Sequence, residues 1–209
     1  MVNDYRNTRY CPKLTDLADK KKEVEKSIKN DHRRAKDMHT FISQNDQVYK
    51  SMFIEAYNEK CSYCGVTLNV IGRAQFEIDH FIPQTASRFK TKAQAGYMEN
   101  LKLSCYNCNR AKSDFELDDD NKYKVDPDGQ EICKSFYRDD NYYIRISKDF
   151  LEDESVKAFY IKLGFDRQVR RLDYLLVNMY GLRDSVQKDK PEIGMQLNEA
   201  IELIKKRRW

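Results

Sequence analysis

The chain has 209 residues, of which 40% are hydrophobic and 34% charged, and carries a formal net charge of +4. That is enough for one substantial domain, or a small core with elaborations, under a highly polar surface. No run approaches the roughly 18 apolar residues of a membrane span, and the opening MVNDYRNTRYCPK lacks a secretory h-region, so no membrane role and a cytoplasmic location are expected.

Residues 13–60 read as two or three helices. Leu14, Leu17, Val24 and Ile28, then Met38, Phe41 and Ile42, then Val48, Met52, Phe53 and Tyr57 recur near helical spacing, with no proline or glycine after Pro12. This defines an N-terminal helical arm over 1–60. Residues 61–114 change character: they hold two cysteine pairs and the strand-like FEIDHFIPQ, in which Phe76, Ile78 and Ile82 keep a period of two. After the second pair, a helix is expected to start near Asn109, whose side chain suits an N-cap. Residues 115–148 read as a strand-rich insertion, with YKV, EICKSFY and NYYIRIS around a DPDG turn. Its acidic DDDNKYKVDPDG does not match the offsets of a calcium loop and is a poor surface for nucleic acid. From 149 to 209 the pattern is helical again. Val169, Leu172, Leu175, Leu176 and Met179 form a stripe ended by Gly181, and Ile193, Leu197, Ile201 and Ile204 form another after Pro191. Basic runs at DKKKEVEK, DHRRAKD and KKRRW read as solvated helix faces.

Six cysteines are present, and four of them fall in C-x-x-C pairs: Cys61 with Cys64, and Cys105 with Cys108. Cys11 and Cys133 stand alone. Without a secretory signal, such pairs read as metal ligands before disulfides. Zinc takes four thiolates tetrahedrally, and two C-x-x-C turns supply two from each side. The loop between the pairs exceeds the roughly 15–20 residues of a compact zinc ribbon, so the metal would staple the ends of a larger fragment. That fragment also carries Asp79, His80, Asn100 and Asn109, none of which is needed as a zinc ligand. On an ideal strand Asp79 and His80 point to opposite faces, so they can share a site only where the strand ends or curls.

Cys61-x-x-Cys64, then Asp79-His80-x-x-Pro83, then Asn100-Leu101-x-x-x-Cys105-x-x-Cys108-Asn109-x-x-Lys112 resembles an HNH endonuclease, in the variant whose last histidine is asparagine. The resemblance implies an α+β fold: a zinc-stapled ββα-metal core over 61–114, with helical elaborations on both sides. It also implies divalent-metal hydrolysis of phosphodiesters to 5′-phosphate and 3′-hydroxyl ends. On that reading His80 is the general base, with a reference pKa near 6.5. Asn100 would hold the imidazole, Asp79 and Asn109 would ligate one magnesium or manganese ion, and Lys112 would meet backbone phosphate.

Three functions stay open at this point. The first is an endonuclease that nicks or cuts DNA, with RNA as an alternative substrate. The second is a zinc-folded nucleic-acid-binding module without catalysis. The third, compatible with the first, is an interaction protein whose helical arms dock a partner. SRFKTKAQ and Lys112 could follow phosphates, but such contacts carry no sequence information, and no base-reading element stands out. A nuclease of this kind needs restraint, and a phage-defence or restriction setting with a partner such as an ATPase is the expectation.

Overall fold

The computed structural model describes residues 4–11, 13–44 and 48–208. The arm forms three helices: α1 (Leu17–Asp31), α2 (Met38–Ser43) and α3 (Val48–Ala56). Leu17, Val24 and Ile28 put one face of α1 into the core, the stripe their spacing requires. Lys21 on the same face is also buried, its ammonium donating to Leu101 O at 2.8 Å and pairing with Asp128 at 2.7 Å. Lys102, from the strand that follows Leu101, meets the same Asp128 at 2.8 Å. A shared carboxylate thus ties α1 to the central hairpin. The Asp37 side chain caps α2 by accepting from Thr40 N–H.

That hairpin is β1 (Phe76–His80) paired antiparallel with β2 (Leu101–Cys105), in register Phe76↔Cys105 through His80↔Leu101. Helix α4 (Tyr106–Lys112) follows β2 without a loop and packs on both strands, completing a ββα unit. It begins earlier than expected. Cys105 takes the N-cap position, its Sγ accepting from Cys108 N–H at 3.4 Å, so Asn109 lies inside the helix instead of capping it. A helical turn places residues i and i+3 on one side, which brings Cys105 and Cys108 together.

The next segment holds less strand than expected: α5 (Ile132–Ser135), then β3 (Phe136–Arg138) paired with β4 (Ile144–Ile146). ICKS is helical, with Ser135 Oγ donating to Lys124 O at 2.8 Å, and Lys122–Lys124 is a 3₁₀ turn. β-propensity without a partner strand does not make a strand. Helix α6 (Glu154–Lys162) is capped by Asp153, which accepts from Ser155 and Val156 N–H. Phe136 and Phe165 pack on Tyr5, and Phe159 packs on both phenylalanines, edge to face in several of these pairs.

Helices α7 (Gln168–Val186) and α8 (Pro191–Arg207) form a hairpin with a small cluster of its own, Leu176, Tyr180 and Ile201. Gly181 does not end α7. The ring of Tyr10 lies so close that a Cβ there would sit 2.2 Å from its Cγ, so the glycine serves close approach. Pro191 opens α8 as its first residue, where its missing N–H costs nothing. Helices and small antiparallel sheets, segregated along the chain, make the fold α+β. No described helix is long and apolar enough to cross a membrane.

Candidate active site and metal centre

The two ends of the β1–β2 hairpin carry different chemistry. At the Cys105 end, residues 61–66 fold into a tight knuckle, with Cys61 N–H donating to Val66 O and Gly65 N–H to Cys61 O (2.8 and 2.9 Å). Gly65 has φ +80, and a Cβ would lie 2.6 Å from Arg6 O, so only glycine fits this turn. Ser62 N–H donates to Leu103 O at 2.8 Å and pins the knuckle to β2. The sulfurs of Cys61, Cys64, Cys105 and Cys108 then lie within 4.8 Å of one another, all buried and none in a disulfide.

This cluster can hold one metal ion. Tetrahedral zinc with bonds of about 2.3 Å separates its sulfurs by roughly 3.8 Å, and Cys64 Sγ stands 3.8 Å from Cys105 Sγ. The charge agrees as well. Arg170 of α7 is 3% exposed, its Nη1 lies 3.9 Å from Cys105 Sγ, and its Nε has no hydrogen-bond partner among the described residues. Asp173, further along α7, is engaged by Arg208. Beside four neutral thiols the buried guanidinium would share Asp173 with Arg208, whereas four thiolates on a divalent ion leave two negative charges to offset it.

At the other end β1 stops at His80, which lets adjacent side chains serve one space. Asp79, His80 and Asn109 line a cleft of about 360 Å³ together with His39, Gln84 and Lys92. Asp79 is buried. One carboxylate oxygen accepts from the Tyr63 hydroxyl and the other from Lys112 Nζ at 3.2 Å. Burial raises its pKa, and Lys112 and Tyr63 act against that rise by stabilising the anion.

Lys112 is itself 1% exposed, and its ammonium also donates to His80 O at 2.7 Å. It therefore does not reach a backbone phosphate, contrary to expectation, because α4 lays it against β1. Asn100 departs from expectation too. Its Oδ1 accepts from Ile82 N–H at 2.7 Å and its Nδ2 donates to Ile82 O and Ala95 O, both at 2.9 Å. These bonds staple the loop leaving β1 to the loop entering β2, so Asn100 does not hold the imidazole by its amide.

His80 is held by two other residues. The Gln84 amide meets Nδ1 at 3.1 Å, and the His39 ring lies 4.4 Å away, inclined by 37°. Burial, and then the neighbouring His39, push the pKa of His80 down to about 4, so the ring is neutral at neutral pH. Asn109 Nδ2 donates to Glu77 Oε2 at 2.6 Å. A carboxylate only accepts, so this bond fixes which end of the amide is which and leaves Oδ1 as an acceptor. Two donors occupy Asp79, and a carboxylate has about four lone-pair sites. Asp79 and Asn109 Oδ1 thus each keep oxygen acceptor capacity, and both residues line the cleft.

Four contributors escaped the sequence reading. Gln84 lies four residues after His80 in DHFIPQ, a short-range signal that could have been used. Tyr63 and Glu77 sit inside the conspicuous stretch but carry no pattern of their own. For His39, nothing local links it to His80.

A hairpin and helix joined at one end by four cysteines, with Asp-His at the other, define a ββα nuclease-type unit. Residues 61–115 match the family model of HNH endonuclease, and the chain carries an HNH endonuclease domain there. That span contains every cleft residue discussed except His39. Comparison with curated proteins and with solved structures gave no match.

Proposed function

We propose that the protein is a metal-dependent endonuclease that hydrolyses phosphodiester bonds of DNA, with His80 as general base. The observation that carries this reading is the convergence of Asp79, His80 and Asn109 on one cleft at the end of β1, within the span that matches HNH endonucleases. The neutral ring of His80 takes the proton of the attacking water. For Nε2 to carry the lone pair, Nδ1 must hold the ring proton, and a half-turn of the Gln84 amide would present its oxygen to that N–H. Lys112 keeps the buried Asp79 ionised, and Glu77 orients Asn109, so both offer oxygen to a cation. Magnesium or manganese bound there would polarise the phosphate and stabilise the departing 3′-oxygen. Zinc at the four cysteines is structural, holding β2 and α4 to the knuckle.

Lys92 replaces Lys112 as a phosphate contact, since it is exposed at the cleft rim. Arg88 is engaged by Asp119 and Glu116. Because such contacts read no sequence, specificity would come from a partner protein, and a defence or restriction system with an associated ATPase fits that requirement. The test offers supercoiled plasmid and single-stranded RNA to the purified protein with Mg²⁺ or Mn²⁺. Nicked or linear plasmid with ligatable 5′-phosphate ends supports the reading. Cleavage of RNA alone moves the substrate class, and binding without cleavage favours the non-catalytic module.

A further inference from the structure

His39 lies outside the span that matches HNH endonucleases, yet it borders both the cleft of Asp79 and His80 and the adjoining hollow of Lys50, Glu77 and Arg110. Its place is firmly set. Met38 N–H donates to Gly96 O at 2.8 Å, and a Cβ on Gly96 would meet Asp37 Oδ1 at 1.9 Å, so the first turn of α2 is locked against the loop entering β2. The side chain of His39 lies along the same cleft wall as Ile78 of β1. An imidazole at a strand end turns easily about its second side-chain torsion, which has broad wells. Gln84 restrains one edge of the His80 ring, Asn100 is occupied elsewhere, and the His39 ring rests beside its face.

We propose that His39 is a positioning residue that acts from the N-terminal arm and holds the His80 ring at the angle at which it accepts a proton from water. The proposal rests on the nuclease reading for its kinetic consequence, and on the ring contact alone for its structural one. It makes α2 part of the working site, so that the HNH domain depends on residues outside it for full activity.

The test uses the full chain as wild type, His39→Ala and His39→Phe, with His80→Ala as the inactive reference. Plasmid nicking gives kcat and KM, and long-range ¹H–¹⁵N spectra follow the imidazoles. The chain has 3 histidines, so the spectra are sparse. His32 stacks on Phe41 at 4.6 Å and serves as an internal control. His39→Ala should lower kcat by about 10- to 100-fold through misplacement of the reacting group. KM should stay within about twofold, and the His80 resonances should move while those of His32 stay. His39→Phe, which keeps a ring at that face, should recover most of kcat and guards against a folding defect in the alanine variant. Unchanged kcat with unmoved His80 resonances would overturn the proposal. A raised KM at constant kcat would also overturn it, since His39 would then be a nucleic-acid contact. If wild type cleaves nothing, the nuclease reading has failed, and the spectra still decide whether His39 positions the ring: unmoved His80 resonances overturn it and shifted ones support it.

Discussion

The two ends of the β1–β2 hairpin bury charge in opposite ways. At the Cys105 end four sulfurs face one another, closed from solvent, with Arg170 of α7 against them. At the His80 end one carboxylate faces Lys112 of α4, and the space beside it opens into a cleft. Each end sets a buried cation against its acidic groups, Arg170 at the sulfurs and Lys112 at Asp79, but the cleft lies at the second end. On this account the metal at the first end belongs to the fold. At the second, a lysine offsets the carboxylate without any ion.

Removing a ligand at the closed end should have the largest effect. Cys105→Ser, or strong chelation of wild type, should abolish the cooperative thermal transition. Structural zinc contributes about 10 kcal/mol or more, comparable with the roughly 5–15 kcal/mol that keeps a domain folded. Circular dichroism against zinc content checks this, and a Cys105→Ser protein that melts like wild type would erase the distinction between the two ends.

At the open end, Lys112→Met should leave Asp79 buried without its cation and cost about 3–5 kcal/mol in urea unfolding, with zinc retained. Adding Asp79→Asn should return part of that loss, because the two residues form one unit. A smaller effect is expected at Arg170. Replacing it by methionine should let a competing chelator remove zinc about 10- to 100-fold more readily, and unchanged zinc affinity would show that the guanidinium has no part in the cluster's charge balance. Lys92→Ala should have the least effect, lowering the slope of log affinity against log salt for duplex DNA by roughly 0.9, without altering stability.

The same contrast explains what was legible in the sequence. The closed end was readable because C-x-x-C spacing is a local geometric requirement, and both pairs converge as that spacing implies. β1 was readable from its alternation, and α8 from its stripe and its opening proline. Asn109 looks like a helix cap because propensity does not reveal that a cysteine sulfur at Cys105 takes that position. Gly181 looks like a helix end because its reason, the ring of Tyr10, lies far away in the chain. The cleft end was the harder part. Lys112 looks like a surface cation in a polar run, and its burial follows only from how α4 lies on β1. Asn100 looks like a partner for an imidazole, while its amide is fully engaged with backbone at Ile82 and Ala95. His39 belongs to a helix whose spacing reports only core packing.

The most direct measurement compares plasmid cleavage by wild type and His80→Ala in Mg²⁺ or Mn²⁺, with zinc content and melting temperature recorded for both. The account predicts equal zinc, closely similar melting and cleavage lost by about 10²- to 10⁴-fold in the variant, the range a general base contributes. Equal cleavage by both proteins, or a His80→Ala variant that sheds zinc and unfolds, would contradict it.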